Sequence, residues 1–311
     1  MEKLCSEYAI DPRAIRSYRD FKYIFEKFGF SQGRLIVKIP SDWSETLFRS
    51  CSDPLDRQRI AERLKKAGGR RVVDAPRIGG QHVANWLMHV AAVHERAPLA
   101  GAVTDEPTAP VDSLPRVVRF ADCDEEFFPE VGELAIRRNA DEIAEIARPL
   151  FRNSSRVVIV DPYFNLSSRK WQKSLTKLIR VARETECEYI DVVAPDKSVS
   201  IETADRELSR QMETVYGRDK RKPQLKFIFV PKDSPSGTFH HRFLLSDFGG
   251  IRYDAGVAAE GDELLSDVIL VRQSFHEELV NRYFHRADID AESFIWEWPP
   301  PARGFHFRAR R

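Results

Sequence analysis

The chain has no apolar run approaching the ~20 residues that cross a bilayer, and its start, Met1 to Arg16, is charged without the apolar core of a secretory signal. A cytoplasmic protein that works without a membrane is expected. Net charge is almost absent: 49 Lys and Arg against 48 Asp and Glu leave +1. That excludes a uniformly basic coat for nucleic acid, although not a local basic groove. Cysteine is scarce, with Cys5, Cys51, Cys123 and Cys187 far apart. No close pair is present to wrap a structural zinc, and a disulfide framework does not suit a large chain without an export signal. Four reduced, buried thiols are expected. His82, His89 and His94 lack the i, i+4 spacing of a helical zinc site, so no metal site is read there. No repeat of roughly 20 to 50 residues is visible, which excludes solenoids and propellers.

What is present is enough apolar material, 42% of 311 residues, for a core larger than one small domain needs. The segment Arg96 to Arg116 carries Pro98, Pro107, Pro110 and Pro115 with few large apolar residues. Proline fixes φ and removes a donor, so the segment reads as a linker or surface loop. The expected division is an α/β module over 1–97, a Pro-rich linker over 98–116, a second domain over 117–298 and a basic tail over 299–311. In the first module, Tyr18 to Phe28 and Pro54 to Ala67 have helical spacing, and Arg34 to Ile39 reads as a strand. In the second, Asn139 is an expected N-cap for a helix reaching Leu150. Arg156 to Val160, Tyr189 to Ala194 and Leu225 to Val230 are β-branched or aromatic runs of the kind buried on both faces. Helical patterns at Ser167 to Arg183 and Glu202 to Tyr216 separate them, which predicts a largely parallel sheet. Shorter strands are predicted at Phe239 to Ser246, Ile251 to Ala255 and Val268 to Val271, then a helix at Ser274 to His285 and a strand at Ser293 to Trp298.

The segment with chemical content is Thr238 to Gly250. Alternate residues of a strand share a face, so His240 and Arg242 project together, with His241 opposite. An imidazole can attack phosphorus or move a proton near neutral pH, and a guanidinium clamps two phosphate oxygens. Asp247 ends the strand, placed either to orient a histidine ring or to cap the next turn. Asp161 follows the first buried strand, where open α/β sheets hold ligands; it serves either a ligand or the turn before Pro162. Arg218, Lys220, Arg221 and Lys222 form a basic stretch suited to phosphate contacts.

His240-x-Arg242-(x4)-Asp247 resembles the HxK(x4)D signature of the phospholipase D superfamily, with arginine in place of lysine. The resemblance covers about Ala140 to Trp298. It implies a phospholipase D-like α/β/α sandwich with a mixed sheet, preceded here by a smaller α/β module. It further implies a phosphodiesterase that needs no metal or other cofactor and works through a phosphohistidine. His240 would be nucleophile or acid, Arg242 the phosphate clamp and Asp247 the orienting carboxylate. Such a site needs two motifs facing one another. His276 and His285 both lack a basic residue two positions on, so no second copy is found and a homodimer is expected. Nucleic acid, DNA or RNA, is the expected substrate because no membrane-binding amphipathic stretch is evident. Single-motif domains of this kind occur in bacterial restriction and abortive-infection systems, so by analogy a defence complex supplies the expected protein partners. Arg242 keeps the charge but is stiffer than lysine. This leaves a second reading open: a degenerate, non-catalytic adaptor for dimerisation or complex assembly.

Overall fold

The computed structural model describes residues 3–75, 85–106, 113–124, 126–129, 132–165, 168–185, 187–196, 201–216, 223–231, 241–285, 294–299 and 307–309. The chain forms two compact units, Lys3–Gly132 and Glu133–Arg311.

The first unit holds strands β1 (Ser6–Ile10), β2 (Arg34–Lys38), β3 (Val72–Asp74), β4 (Gly101–Val103) and β5 (Val117–Val118). All pair in parallel, in the order β3-β2-β1-β4-β5. Helices α1 (Tyr18–Glu26), α2 (Trp43–Ser50), α3 (Pro54–Ala67) and α4 (Trp86–Arg96) lie between them in the chain, α2 and α3 both between β2 and β3. Ser17 caps α1 by accepting from Asp20 N, and Asp53 with Pro54 at the first position starts α3. Tyr8, Phe28, Phe127 and Phe128 meet edge to face in the core. Buried Asp11, just after β1, accepts from Thr104 Oγ1 (2.7 Å) and from Arg13, which also pairs with Glu106.

The boundary therefore falls at Gly132/Glu133, and the expected linker over 98–116 is corrected. Its residues 101–103 form β4, inside the first sheet. Gly101 and Ala102 are too small to register as an apolar pattern. Smallness is what the packing demands there, since a methyl on Gly101 would lie 2.5 Å from Phe127. The expected start of the second domain at 117 is corrected likewise, because β5 belongs to the first sheet.

The second unit holds β6 (Glu133–Arg138), β7 (Arg156–Val160), β8 (Tyr189–Asp196), β9 (Gln224–Pro231), β10 (Phe243–Ser246), β11 (Gly250–Tyr253), β12 (Gly261–Leu270), β13 (Phe294–Trp298) and β14 (Phe307–Ala309). They form one sheet in the order β14-β13-β9-β8-β7-β10-β11-β12-β6. β7, β8 and β9 are parallel and the remaining pairs antiparallel, so the unit is α/β with a mixed sheet. The helices are α5 (Ala140–Arg152), α6 (Arg169–Glu184), α7 (Ile201–Tyr216) and α8 (Gln273–Leu279), the last continued by a π-helical turn over Val280–Phe284. Asn139 caps α5 by accepting from Glu142 N (2.8 Å), as expected. The expected basic tail over 299–311 is corrected in part: its residues 307–309 add the edge strand β14 beside β13.

Candidate functional site

β10 lies antiparallel to β7, with Phe243 opposite Val160 and Ser246 opposite Val157. The start of β10 therefore meets the carboxyl end of β7, and its end meets the amino end. Phe243 and Leu245 pack with Leu279 and Tyr283, so alternation sends Arg242 and Leu244 to the opposite face. On that face Tyr253 Oη donates to the Ile143 carbonyl of α5 (3.0 Å). His241 is exposed, its ring 5.7 Å from that of Phe243.

Arg242 and Asp161 come together at the carboxyl end of β7. Both lie against Gly256, whose φ is +76°. A methyl on this glycine would stand 2.5 Å from Asp161 Oδ2 and 2.9 Å from Arg242 Cδ. Asp161 is fully buried, its amide donates to the Val193 carbonyl (3.1 Å), and its Oδ1 accepts from Tyr163 N (2.8 Å). It thus caps its own turn while facing the arginine. Arg242 donates through Nη1 to the Asp254 carbonyl and stacks over Tyr163, its Cζ 4.6 Å from the ring centre. The Tyr163 ring is half exposed. The result is a guanidinium held on two sides beside a buried carboxylate, at the sheet edge where α/β proteins hold ligands.

Asp247 is elsewhere. It sits in the turn after β10, five residues and about 17 Å of strand from Arg242. Its charge bears on Cys187, just ahead of β8, which places it at the amino edge of the parallel strands. The turn it enters is held by Ser246, whose buried Oγ accepts from Phe248 N (3.1 Å) and Gly249 N (3.2 Å). His240, Arg218, Lys220, Arg221 and Lys222 lie outside the described residues. His276 is buried, and its Nε2 lies 2.7 Å from the Ser246 carbonyl, at the same end of β10 as Asp247.

Sequence reasoning missed Tyr163, Gly256 and the Asp254 carbonyl. Tyr163 was legible only as the second residue after Asp161. Gly256 and Asp254 carried no signal, since they reach Arg242 through the fold of a loop. All four cysteines are free and buried, and burial pushes the Cys123 and Cys187 thiols up to about 12. Among the described residues no group of three or more His, Cys, Asp or Glu is arranged to hold a metal ion, and no helix is long and apolar enough to cross a membrane.

No protein-family model and no curated protein matches this chain. Several solved structures are similar over part of it, two of them as follows. One is TrmBL2, an archaeal chromatin protein described for its mode of DNA binding: 12% identity, TM-score 0.29, over 51% of this chain and 54% of that one. The other is phosphatidylserine synthase of Haemophilus influenzae Rd KW20: 16% identity, TM-score 0.34, over 54% of this chain and 40% of that one. This chain thus spans about half of the first and two fifths of the second.

Proposed function

We propose that the second unit is a phospholipase D-like phosphodiesterase acting on nucleic acid through a phosphohistidine. The observation that carries this reading is Arg242, held beside Asp161 and Tyr163 at the carboxyl edge of the sheet two residues after His240. A planar guanidinium fixed there suits two non-bridging phosphate oxygens. A ring nitrogen of His240 attacks phosphorus, the P–N bond forms and the P–O ester bond breaks. The leaving oxygen takes a proton from the imidazolium of a second His240, supplied by another copy of the chain. Water then attacks the phosphohistidine while the second His240, now neutral, takes its proton; the P–N bond breaks, and a phosphomonoester and the free first histidine result. Asp247 follows β10 at the end far from Arg242.

The test is cleavage of labelled single- and double-stranded DNA and RNA in EDTA, wild type beside His240→Ala, with native mass recorded on the same samples. EDTA-resistant cleavage by a dimer, abolished in the variant, is the expected result. Two inert proteins would overturn the enzyme reading.

One observation favours a second reading. Arg242 also ties β10 to the Asp254 carbonyl after β11, a contact that serves a non-catalytic adaptor equally well. In that case His240→Ala leaves dimerisation and complex assembly intact.

A further inference from the structure

Helix α6 carries six cations, Arg169, Lys170, Lys173, Lys177, Arg180 and Arg183, against one acid, Glu184. Several are neutralised locally. Lys177 pairs with Asp141, and Lys170 with Glu260, which also takes Arg138. The hydrogen bond from Lys170 holds the Glu260 carboxyl below the usual carboxylate range. Arg169, Lys173 and Arg180 differ: all three are exposed, and among the described residues no acid pairs with them. At 100° per residue they fall within a narrow arc of the helix, so they form one line about 17 Å long. The first part of that line, with Thr176 of the same helix and Arg210 of α7, borders a groove of about 840 Å³. The acids on its other wall are already engaged, Asp141 and Glu260 as above and Asp262 by Asn139 Nδ2 (2.7 Å).

The line begins at the candidate site. α6 follows the turn that carries Asp161 and Tyr163. Gly256 touches Asp161 and Arg242, and Ala259, three residues on, donates to the Lys170 carbonyl (3.1 Å). Three residues of chain span at most about 11 Å. An exposed aromatic, a clamped arginine and an extended row of unneutralised cations therefore follow one another on one face of the sheet.

We infer that the outer face of α6 is a track for a nucleic-acid backbone, with Tyr163 as a stacking platform where the track meets Arg242. A compact phosphate ligand would call for cations converging on a point, whereas these are strung along a line. Along a duplex axis the phosphates of one strand recur about every 3.4 Å, and even in an extended strand, at roughly twice that spacing, a line of this length meets more than one phosphate. Base stacking on tyrosine is tolerant of sequence and suits a single strand. The inference rests on the phosphodiesterase reading for its substrate class, but its test does not need turnover.

The test is fluorescence anisotropy with a labelled oligothymidine and a labelled duplex, in the His240→Ala background, over a salt series. The Arg169→Glu/Lys173→Glu/Arg180→Glu protein is compared with its parent, and the Arg→Gln, Lys→Gln equivalent guards against misfolding of the charge-reversed chain. The expected result is a loss of at least about tenfold in affinity for the single strand. The slope of log K against log salt should shrink by about 2, roughly 0.7 for each of three lost contacts. An unchanged affinity and slope in both variants would overturn the track. So would competition by inorganic triphosphate at concentrations matched in phosphate to the oligonucleotide, which would mark a compact phosphate site. Hydrolysis of a small activated phosphodiester by wild type is measured beside this. Hydrolysis with unchanged polymer binding in the variants fails the track and keeps the chemistry. Binding lost in the variants, with no hydrolysis by wild type, fails the chemistry and keeps the track.

Discussion

The guanidinium of Arg242 lies over the ring of Tyr163, 4.6 Å from its centre, although 79 positions separate the two in the chain. The contact is local in space because β10 runs antiparallel to β7, so the residue before one strand meets the loop after the other. It leaves the clamp beside a half-exposed aromatic face.

Tyr163→Ala should accordingly weaken single-stranded nucleic-acid binding while hardly changing stability. Removing a stacking ring costs about 1–3 kcal/mol of binding per base, whereas an exposed cation–π contact is worth about 0.5–1 kcal/mol. Anisotropy titration and thermal melting on the same samples check this. Wild-type affinity in the variant would remove Tyr163 from the interface.

Gly256→Ala should destabilise the second unit. The glycine has a left-handed φ, and the added methyl would press on both Asp161 and Arg242. A loss of about 1–3 kcal/mol is expected in urea unfolding, with reduced phosphate binding in the protein that remains folded. Gly69→Ala is the control, because nothing lies within 4 Å of a methyl there.

His276→Leu addresses whether the second histidine of a two-histidine mechanism lies in the same chain. The ring is buried at the opposite end of β10 from Arg242 and meets the Ser246 carbonyl. Its loss should cost about 1–3 kcal/mol of stability by stranding buried polar groups. Cleavage per folded molecule should stay at the wild-type level. Folded but inactive His276→Leu protein would place the second histidine within one chain and remove the need for a homodimer.

The buried thiols set a pH dependence at the alkaline end. Cys123 and Cys187 lose protons near pH 9 when unfolded but only near 12 when folded. A raised folded value means that their contribution is full below about pH 9 and is lost as pH climbs towards 12. The loss is up to about 1.4 kcal/mol per pH unit for each thiol. Urea midpoints from pH 8 upwards, wild type against Cys187→Ala, should converge as pH rises. Parallel curves would show that the thiol is not shielded.

Much of the second unit is legible in the chain because its signals are local. Arg156 to Val160 becomes β7 over the same residues, and the Asn139 cap is visible before α5 begins. β1 and β6 were not read. β1 buries mainly Tyr8, Ala9 and Ile10, and β6 is an edge strand with Ile136 as its one buried residue, so neither repeats a pattern long enough to register. The candidate site divides in the same way. Spacing placed Arg242 and Asp247 around one strand, but a strand is a rod, and its two ends face opposite edges of the sheet.

The order of residues alone therefore decided the periodicities, the caps, the buried strands and the presence of a basic residue two positions after His240, since each depends on neighbours within a few residues. Tertiary structure alone decided that 101–103 belongs inside the first sheet, that Asp161, Tyr163 and Gly256 surround Arg242, and that Asp247 does not. Those facts depend on strand register and loop closure, which bring together residues that carry no mark of one another in the chain.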